Sequence, residues 1–428
     1  MKQLFKDRNF MTFWFGEFIS VVGDHISVLA FPMLVLAMTD SPALVGAVLA
    51  VQGLPRAILL LFGGAVVDRY SPRAVMLVTN VLRFIFIMFL AWLIYADLAS
   101  IELVFAVALA FGIADAFFYP ATTSILPSLV KPDELQGGNA LVQMGMYLAV
   151  VFGPVIGGII IAGEINTMSH SGDGFVAGYD DNRMGFARAF FIDGLTFAVS
   201  FCTLLFVKTR KKDEADGEEK TSMLQEVKEA LVWVWNQPAV RLGFIGIAVL
   251  QFFFQAPIFV GLPALAKERF VEWSYVYGLQ IAAYGGGAFI GSMVGGMMRG
   301  PKPENLLRAM FLIFIMSGST LALVVLYEPY QWAMFVFFLA GAGDSWVWVH
   351  FTTWLQKRTP EKLLGRVMSI FMFMAVGLLP IANMVMGLAF EWNLEASLII
   401  ASAIIVLTCL VAALHPDARK GALTGKEA

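Results

Sequence analysis

Apolar residues in this chain are gathered into runs of about 20, the length at which a helix crosses the hydrocarbon core of a bilayer. Such runs fall near residues 10–38, 42–66, 74–95, 101–127, 136–162, 187–207, 241–266, 275–298, 305–326, 330–355, 366–390 and 394–414. The pattern predicts an all-α membrane protein with twelve transmembrane helices. Between the runs, cations gather on alternate connections: Lys2, Lys6, Arg8, Arg69, Arg73, Lys131, Lys208, Arg210, Lys211, Lys212, Arg299, Lys302, Arg308, Lys357, Arg358, Lys362 and Arg366 lie on one side. The other side has only Arg183, Arg188, Lys267 and Arg269. The positive-inside rule therefore places both termini in the cytoplasm, as an even number of spans requires. Met1 to Arg8 leads into the first run without a small-residue cleavage site, so that run is read as a retained span.

The middle of the chain breaks the rhythm. Lys208 to Lys220 is almost purely charged, and Thr221 to Leu231 reads as a capped amphipathic helix. The predicted organisation is an N-terminal six-helix bundle over 1–207, a cytoplasmic linker with an amphipathic helix over 208–240, and a C-terminal six-helix bundle over 241–428. An internal repeat supports the division. Gly112-Ile113-Ala114-Asp115, Thr122-Thr123 and Pro132-Asp133-Glu134-Leu135 are echoed by Gly341-Ala342-Gly343-Asp344, Thr352-Thr353 and Pro360-Glu361-Lys362-Leu363, and 344 minus 115 is 229, about half the chain. Parallel repeats are a transporter architecture whose substrate site lies near the membrane midplane at the repeat interface.

Composition narrows the class. The chain has 428 residues, is 59% hydrophobic and 14% charged, and carries a formal net charge of −3, so it lacks the clustered cations that nucleic acid demands. Cys202 and Cys409 sit in apolar runs and imply neither a disulfide framework nor a metal cluster. No zinc-protease helix, phosphate-cradling glycine loop or nucleophile elbow occurs, so no enzyme activity, cofactor or metal is expected.

Three segments carry a resemblance. Gly64-x-x-x-Asp68-Arg69-x-x-x-Arg73, with Ser71 where glycine is usual, resembles the loop signature of the major facilitator superfamily. Gly153-Pro154-Val155-Ile156-Gly157-Gly158 is similar to the span-five motif of its proton-coupled exporters. Gly23-Asp24, Tyr119-Pro120-Ala121, Leu126 to Val130 and Asn139-Ala140-Leu141 resemble the branch of macrolide-efflux and enterobactin-exporter proteins. The resemblance implies the two-bundle major facilitator fold and makes Gly64, Asp68, Arg69 and Arg73 a cytoplasmic gate. In the family, the aspartate at position 68 caps and pairs across that face in the outward-open state. It also makes Gly153, Pro154, Gly157 and Gly158 the antiporter motif, with small residues for close helix approach and a proline that bends the span. One feature departs: the arginine that many multidrug exporters carry in span four is absent, and Asp115 is the charge there.

Charge at a helix centre costs about 2.5–3.5 kcal/mol on insertion scales, so each intramembrane ion is a functional candidate. Glu17, Ser20, Asp24 and Ser27 draw one polar stripe down span one, beside His25. Asp24, with Glu17 and Arg56 as partners, is the candidate for proton coupling. The competing expectation is a permanent structural pair of Asp24 with Arg56. Arg56 and Arg83 are each candidates to balance Asp24 or Asp115 or to attract an anionic substrate, and for Arg83 the alternative is that it snorkels to the cytoplasmic surface. Because spans one, four, seven and ten line the cavity in this fold, the resemblance lends Asp115, Tyr119, Gln251, Gln255, Asp344 and Trp348 a place in a substrate cavity. The glutamines serve equally as helix-to-helix hydrogen-bond glue. Phe252, Phe253, Phe254, Trp346, Trp348 and Tyr147 are pocket-lining or packing aromatics.

The expected function is secondary active transport by alternating access: proton-coupled efflux of a small or medium amphipathic molecule such as a drug, macrolide or siderophore. The expected setting is the bacterial inner membrane, with the chain as a monomer whose partners are its substrate, protons and the bilayer. Two alternatives stand beside it, a lysophospholipid or lipid flippase of the same fold and a non-transporting receptor or scaffold.

Overall fold

The computed structural model describes the backbone of residues 4–131, 134–163, 179–209, 223–298 and 300–419, and their side chains except at 60–69, 136, 181, 223–227, 361–362 and 419. Among the described residues every regular element is helical. The long helices of the first part are α1 (Arg8–Thr39), α2 (Pro42–Arg69), α3 (Pro72–Tyr95), α4 (Ile101–Leu129), α5 (Leu135–Ala162) and α6 (Tyr179–Phe206). Then come the short α7 (Met223–Asn236), α8 (Pro238–Leu250) and α9 (Ala256–Arg269), the last two joined by a π turn at Gln251–Gln255. Next are α10 (Trp273–Met297), α11 (Pro303–Leu326), α12 (Tyr330–Arg358), α13 (Glu361–Met372) and α14 (Leu379–Trp392), these last two joined by a second π turn at Phe373–Gly377, and finally α15 (Leu394–Leu414).

Local chemistry starts these helices where the chain leaves a connection. Asp7 caps α1 by accepting from the Asn9 and Phe10 amides at 2.9 and 3.2 Å. Ser71 caps α3, with Pro72 behind it. Asn393 caps α15 through the Ala396 amide at 2.8 Å. At the far end of α1, Asp40 closes the helix in the left-handed region at φ 54°.

Among the described residues eleven helical stretches are long and apolar enough to cross a membrane, with α8–π–α9 and α13–π–α14 each counting as one. The 25-residue α10 fills the eighth expected run but falls outside that set, because its many glycines with Tyr275, Tyr277, Tyr284 and Gln280 dilute its apolar character. Large apolar side chains lie open on the surface, Phe206 at 77% and Leu414 at 73% exposure. Trp392 (76%) and Tyr95 (64%) stand exposed near helix ends, as interfacial aromatic anchors do. A water-facing surface of this kind would aggregate; in lipid it is solvated. The chain is a multi-pass membrane protein.

Two compact units emerge. The first comprises Met1–Asp213 with Leu262–Ala282, the second Glu214–Gly261 with Ala283–Ala428. Compactness thus groups Leu262–Ala282 with the first unit, although its neighbours in sequence on both sides belong to the second. In the first unit α2 lies along α4, and α6 along α1 and α3. One end is sealed by Phe10, Phe13, Met76, Ile125, Leu129 and Leu204. In the second unit α11 lies along α12 and α15.

The repeat seen in sequence has a shared physical use. A Cβ on Gly112 of α4 would strike the carbonyl oxygen of Gln52 on α2, and one on Gly341 of α12 would strike that of Tyr284 on α10. Each glycine therefore lets two backbones touch, and each stands three residues before an aspartate, Asp115 and Asp344.

The linker's charged run over 210–222, Pro132 and Asp133 lie outside the described residues. Beyond the run, α7 buries Ala230 while leaving Leu231 and Trp235 exposed. Its Glu229 accepts from Arg366 at 3.3 Å.

Candidate functional site

The first unit is built around a buried arginine. α3 starts at its Ser71 cap, and twelve residues later, about 18 Å along the helix axis, it presents Arg83 at the middle of its length. Arg83 is 1% exposed, so of its two alternatives it balances the aspartates and does not snorkel to the surface. It donates through Nη2 to Asp24 Oδ1, while its Nε stands 3.0 Å from Asp115 Oδ1. The rings of Phe197, Phe118 and Phe111 surround its guanidinium carbon at 4.2, 4.4 and 5.3 Å. A planar cation with a fork of donors can serve two carboxylates and stack on aromatic faces at once, which an ammonium cannot.

Arg56 holds the second place. Its Nη1 stands 3.9 Å from Asp115 Oδ2, and its guanidinium covers the Tyr119 ring at 4.2 Å. The expected Asp24–Arg56 clamp is therefore not the direct pairing: Asp24 pairs with Arg83, and Arg56 with Asp115. Asp115 bridges the two arginines, which brings Asp24, Arg56, Asp115 and Tyr119 into one network across α1 to α4. The geometry follows from the glycine contact above, since Gly112 draws α4 against α2 at Gln52, one turn from Arg56.

The polar stripe on α1 does face protein. Glu17 (6%), Ser20 (0%) and Ser27 (2%) are buried, and Glu17 Oε2 has no hydrogen-bond partner among the described residues. Ser27 Oγ donates to Oδ2 of Asp193 on α6, a fully buried acid absent from the sequence-based candidates. The signal was available in Phe190-Phe191-Ile192-Asp193, an acid inside an apolar run that is as costly there as Asp24 is in span one. His25 turns away, its Nδ1 2.9 Å from the Val21 carbonyl and its Cβ where a Gly153 side chain would stand.

The second unit holds a smaller polar chain. Ser317 Oγ donates to Asp344 Oδ1 at 2.6 Å, Tyr284 Oη to Asp344 Oδ2 at 3.1 Å, and Gln255 Nε2 to Tyr284 Oη at 2.7 Å. Among the described residues no cation pairs with Asp344. Gln251 is spent elsewhere, donating to the Ala375 carbonyl in the second π turn. Trp348 is 39% exposed and lies 4.8 Å from Phe371. Thr122 and Thr352 bond back to their own helices. Phe254 is fully buried against Tyr284 and Phe337 and acts as packing. Tyr284→Phe removes one donor to Asp344 and one acceptor from Gln255, so it should lower stability by about 1–2 kcal/mol. Thermal unfolding in detergent reads this as a lower midpoint with unchanged yield.

The α5 motif divides its glycines. Gly153 and Gly157 face α1 at Val22, His25, Ile26 and Leu29, while Gly158 admits the Ser274 carbonyl and the backbone around Gly278. Gly278 in turn leaves room for the Pro154 carbonyl, where a Cβ would come within 2.6 Å. Beside this contact Lys267 ties α9 to the end of α1, reaching Leu36 O at 2.9 Å and Asp40 Oδ1 at 2.5 Å.

Of the four residues in the loop signature, the side chains of Gly64, Asp68 and Arg69 lie outside the described residues, and the α2 backbone runs helical to Arg69. Arg73 donates to the Leu204 and Leu205 carbonyls at 2.8 and 2.9 Å, a cation on the C-terminus of α6. Asn9 and Lys208 exchange two bonds at 2.8 and 2.7 Å beside it.

Comparison with known proteins agrees with this fold. The enterobactin exporter EntS of Citrobacter koseri is 25% identical over 371 residues, covering 84% of this chain and 79% of EntS. The multidrug efflux pump Tap of Mycobacterium tuberculosis is 24% identical over 423 residues, covering 95% of this chain and 93% of Tap. The crystal structure of the nucleoside transporter NupG superposes with a TM-score of 0.67 at 13% identity, covering 95% of this chain and 98% of NupG. The sequence model of the Major Facilitator Superfamily matches residues 13–382, and the chain belongs to that superfamily of transporters.

Proposed function

We propose that this protein is a secondary active transporter of a bacterial cytoplasmic membrane, with both termini in the cytoplasm, that expels a small or medium amphipathic molecule in exchange for protons. The observation that carries this reading is the partly buried network of Asp24, Arg83, Asp115 and Arg56, linking four helices of one bundle through ion pairs. Neutralising one carboxylate in such a network frees its arginine to favour another partner, so proton binding and helix arrangement share a free energy. Asp24 is the proton-binding group, 20% exposed against 1% for Arg83 and so within reach of water. Arg83 is its immediate counter-ion, with Glu17 below it on the same face, and Arg56 acts through Asp115. Asp115 and Tyr119 of the first unit and Gln255, Asp344 and Trp348 of the second are the substrate-side residues, while Gln251 serves as glue between the two π turns. Gly64, Asp68, Arg69 and Arg73 form the cytoplasmic gate, and Gly153, Pro154, Gly157 and Gly158 form the antiporter motif that holds the α5 interface. The direction of transport is taken from EntS and Tap, whose names describe an exporter and an efflux pump.

The test is proton flux into liposomes that hold the purified protein and a trapped pH-sensitive dye, challenged with cationic drugs, macrolides, catecholate siderophores and lysolipids. Substrate-dependent flux with a drug, macrolide or siderophore is the expected result. Movement of lysolipids without proton flux would replace this reading with lipid translocation, and silence with every compound would remove transport of these classes.

A further inference from the structure

Resting on that reading for its functional meaning, we propose that Asp193 is a second proton-carrying carboxyl of the network around Arg83. The first argument is a count of charge. Among the described residues of the first unit, the buried acids Glu17, Asp115 and Asp193 and the partly exposed Asp24 share two guanidiniums, Arg56 and Arg83. The ion pairs go to Asp24 and Asp115. An unpaired ionised carboxylate in a dry interior costs several kcal/mol, far more than holding a proton. The two acids left over therefore carry protons, and of these Asp193 is the one with a built seat.

That seat suits both protonation states. Ser27 Oγ contacts Asp193 Oδ2, and Thr196 Oγ1 lies 3.4 Å from Oδ1. A hydroxyl rotates freely between donating and accepting. Ser27 thus donates to the carboxylate and accepts from the carboxylic acid without moving, whereas an arginine in its place would lock the ionised form. Three helices pack on α6. From α1 come Asp24 and Ser27, from α3 comes Arg83, and α5 brings no charged group to Asp193 among the described residues. Arg83 lies within electrostatic reach, so it balances the carboxylate once the proton has left.

The backbone of α1 is shaped for this neighbour. A Cβ on Gly23 would collide with Thr196 Oγ1 and stand against Asp193 Oδ1. Gly23 is thus the gap that lets the α6 carboxyl sit beside the residue preceding Asp24. The dipeptide Gly23-Asp24 places one acid against Arg83 and admits the other from α6.

The proposal involves no redox step. Asp193 takes a proton from water as it becomes a carboxylic acid and returns it as it becomes a carboxylate.

The test needs no substrate. Purified protein in lipid nanodiscs is titrated between acidic and alkaline buffers, and infrared difference spectra record the C=O stretch of protonated carboxyls. The expected result is a component that disappears in Asp193→Asn, a second that disappears in Asp24→Asn, and total proton uptake reduced by one per chain in each variant. Spectra and uptake of Asp193→Asn equal to wild type would overturn the proposal. Should Asp193→Asn fail to fold, Ser27→Ala retains the acid and removes its hydroxyl. A shifted Asp193 component then supports the proposal, and an unshifted spectrum rejects it. A titrating Asp193 in a protein that moves no substrate in liposomes would defeat the transport reading and leave this one standing.

Discussion

Replacing Arg83 with methionine should give the most damaging single change in the first unit, lowering stability by about 3–5 kcal/mol and abolishing transport. Methionine fills much of the volume and keeps contact with Phe111, Phe118 and Phe197, so packing loss is small. What disappears is the cation shared by Asp24 and Asp115, leaving the buried Asp115 and the partly exposed Asp24 against Arg56 alone. Breaking a buried pair by removing one partner costs about 3–5 kcal/mol because the survivor is stranded. Arg83→Lys should recover little, since a single ammonium cannot reach across two carboxylates on different helices as a guanidinium does. Thermal unfolding and size-exclusion profiles in detergent measure the effect. The double variant Arg83→Met with Asp24→Asn should be less damaged than Arg83→Met alone, and a double variant that is worse would show that the two side chains do not share one interaction.

Asp24→Asn should behave differently: a fold largely kept and proton flux lost. Asparagine preserves shape and still accepts from Arg83, and Arg83 retains Asp115. The stability cost should therefore stay near about 1–2 kcal/mol, the scale of weakening a charged hydrogen bond. Function should fall far more, because an amide does not take up a proton in this range. In the liposome assay, substrate-dependent proton flux should fall to background while downhill exchange of substrate persists with only the weaker pH dependence that Asp193 contributes. Were Asp24 a fixed clamp, residual transport would keep the wild-type pH dependence and scale with folded protein.

The sequence told helix number and depth far better than neighbourhood. Run length reports how far a residue lies along a membrane-spanning helix, since the rise per residue is fixed, and the stripe Glu17, Ser20, Asp24, Ser27 follows from helical periodicity alone. Both readings hold in the folded chain. Periodicity does not say which helix the stripe will face, so similar depth pairs Asp24 with Arg56 although Arg83 is the side chain that meets it. Counting from the Ser71 cap already puts Arg83 near mid-bilayer, which argues against snorkelling. Asp193 escaped because a lone acid among phenylalanines shows no pattern; only the cost of burying it marks it. The Gly112 and Gly341 repeat was legible as a spacing, whereas its meaning, backbone against backbone, needed the packed helices.

The π turn at Gln251–Gln255 has a consequence for how α9 can be altered. Such a turn holds one residue more than the α-helical repeat, and the surplus advances every later side chain by roughly 100° about the helix axis. Deleting one residue within it would let the helix close regularly, at little backbone cost, and would screw the whole of Ala256–Arg269 round by more than a quarter turn. Lys267 would then leave Leu36 and Asp40 without any change to its own identity. The extra residue acts as a phase setting: it fixes which azimuth of α9 carries the ammonium, and a frame change of one position would reset it.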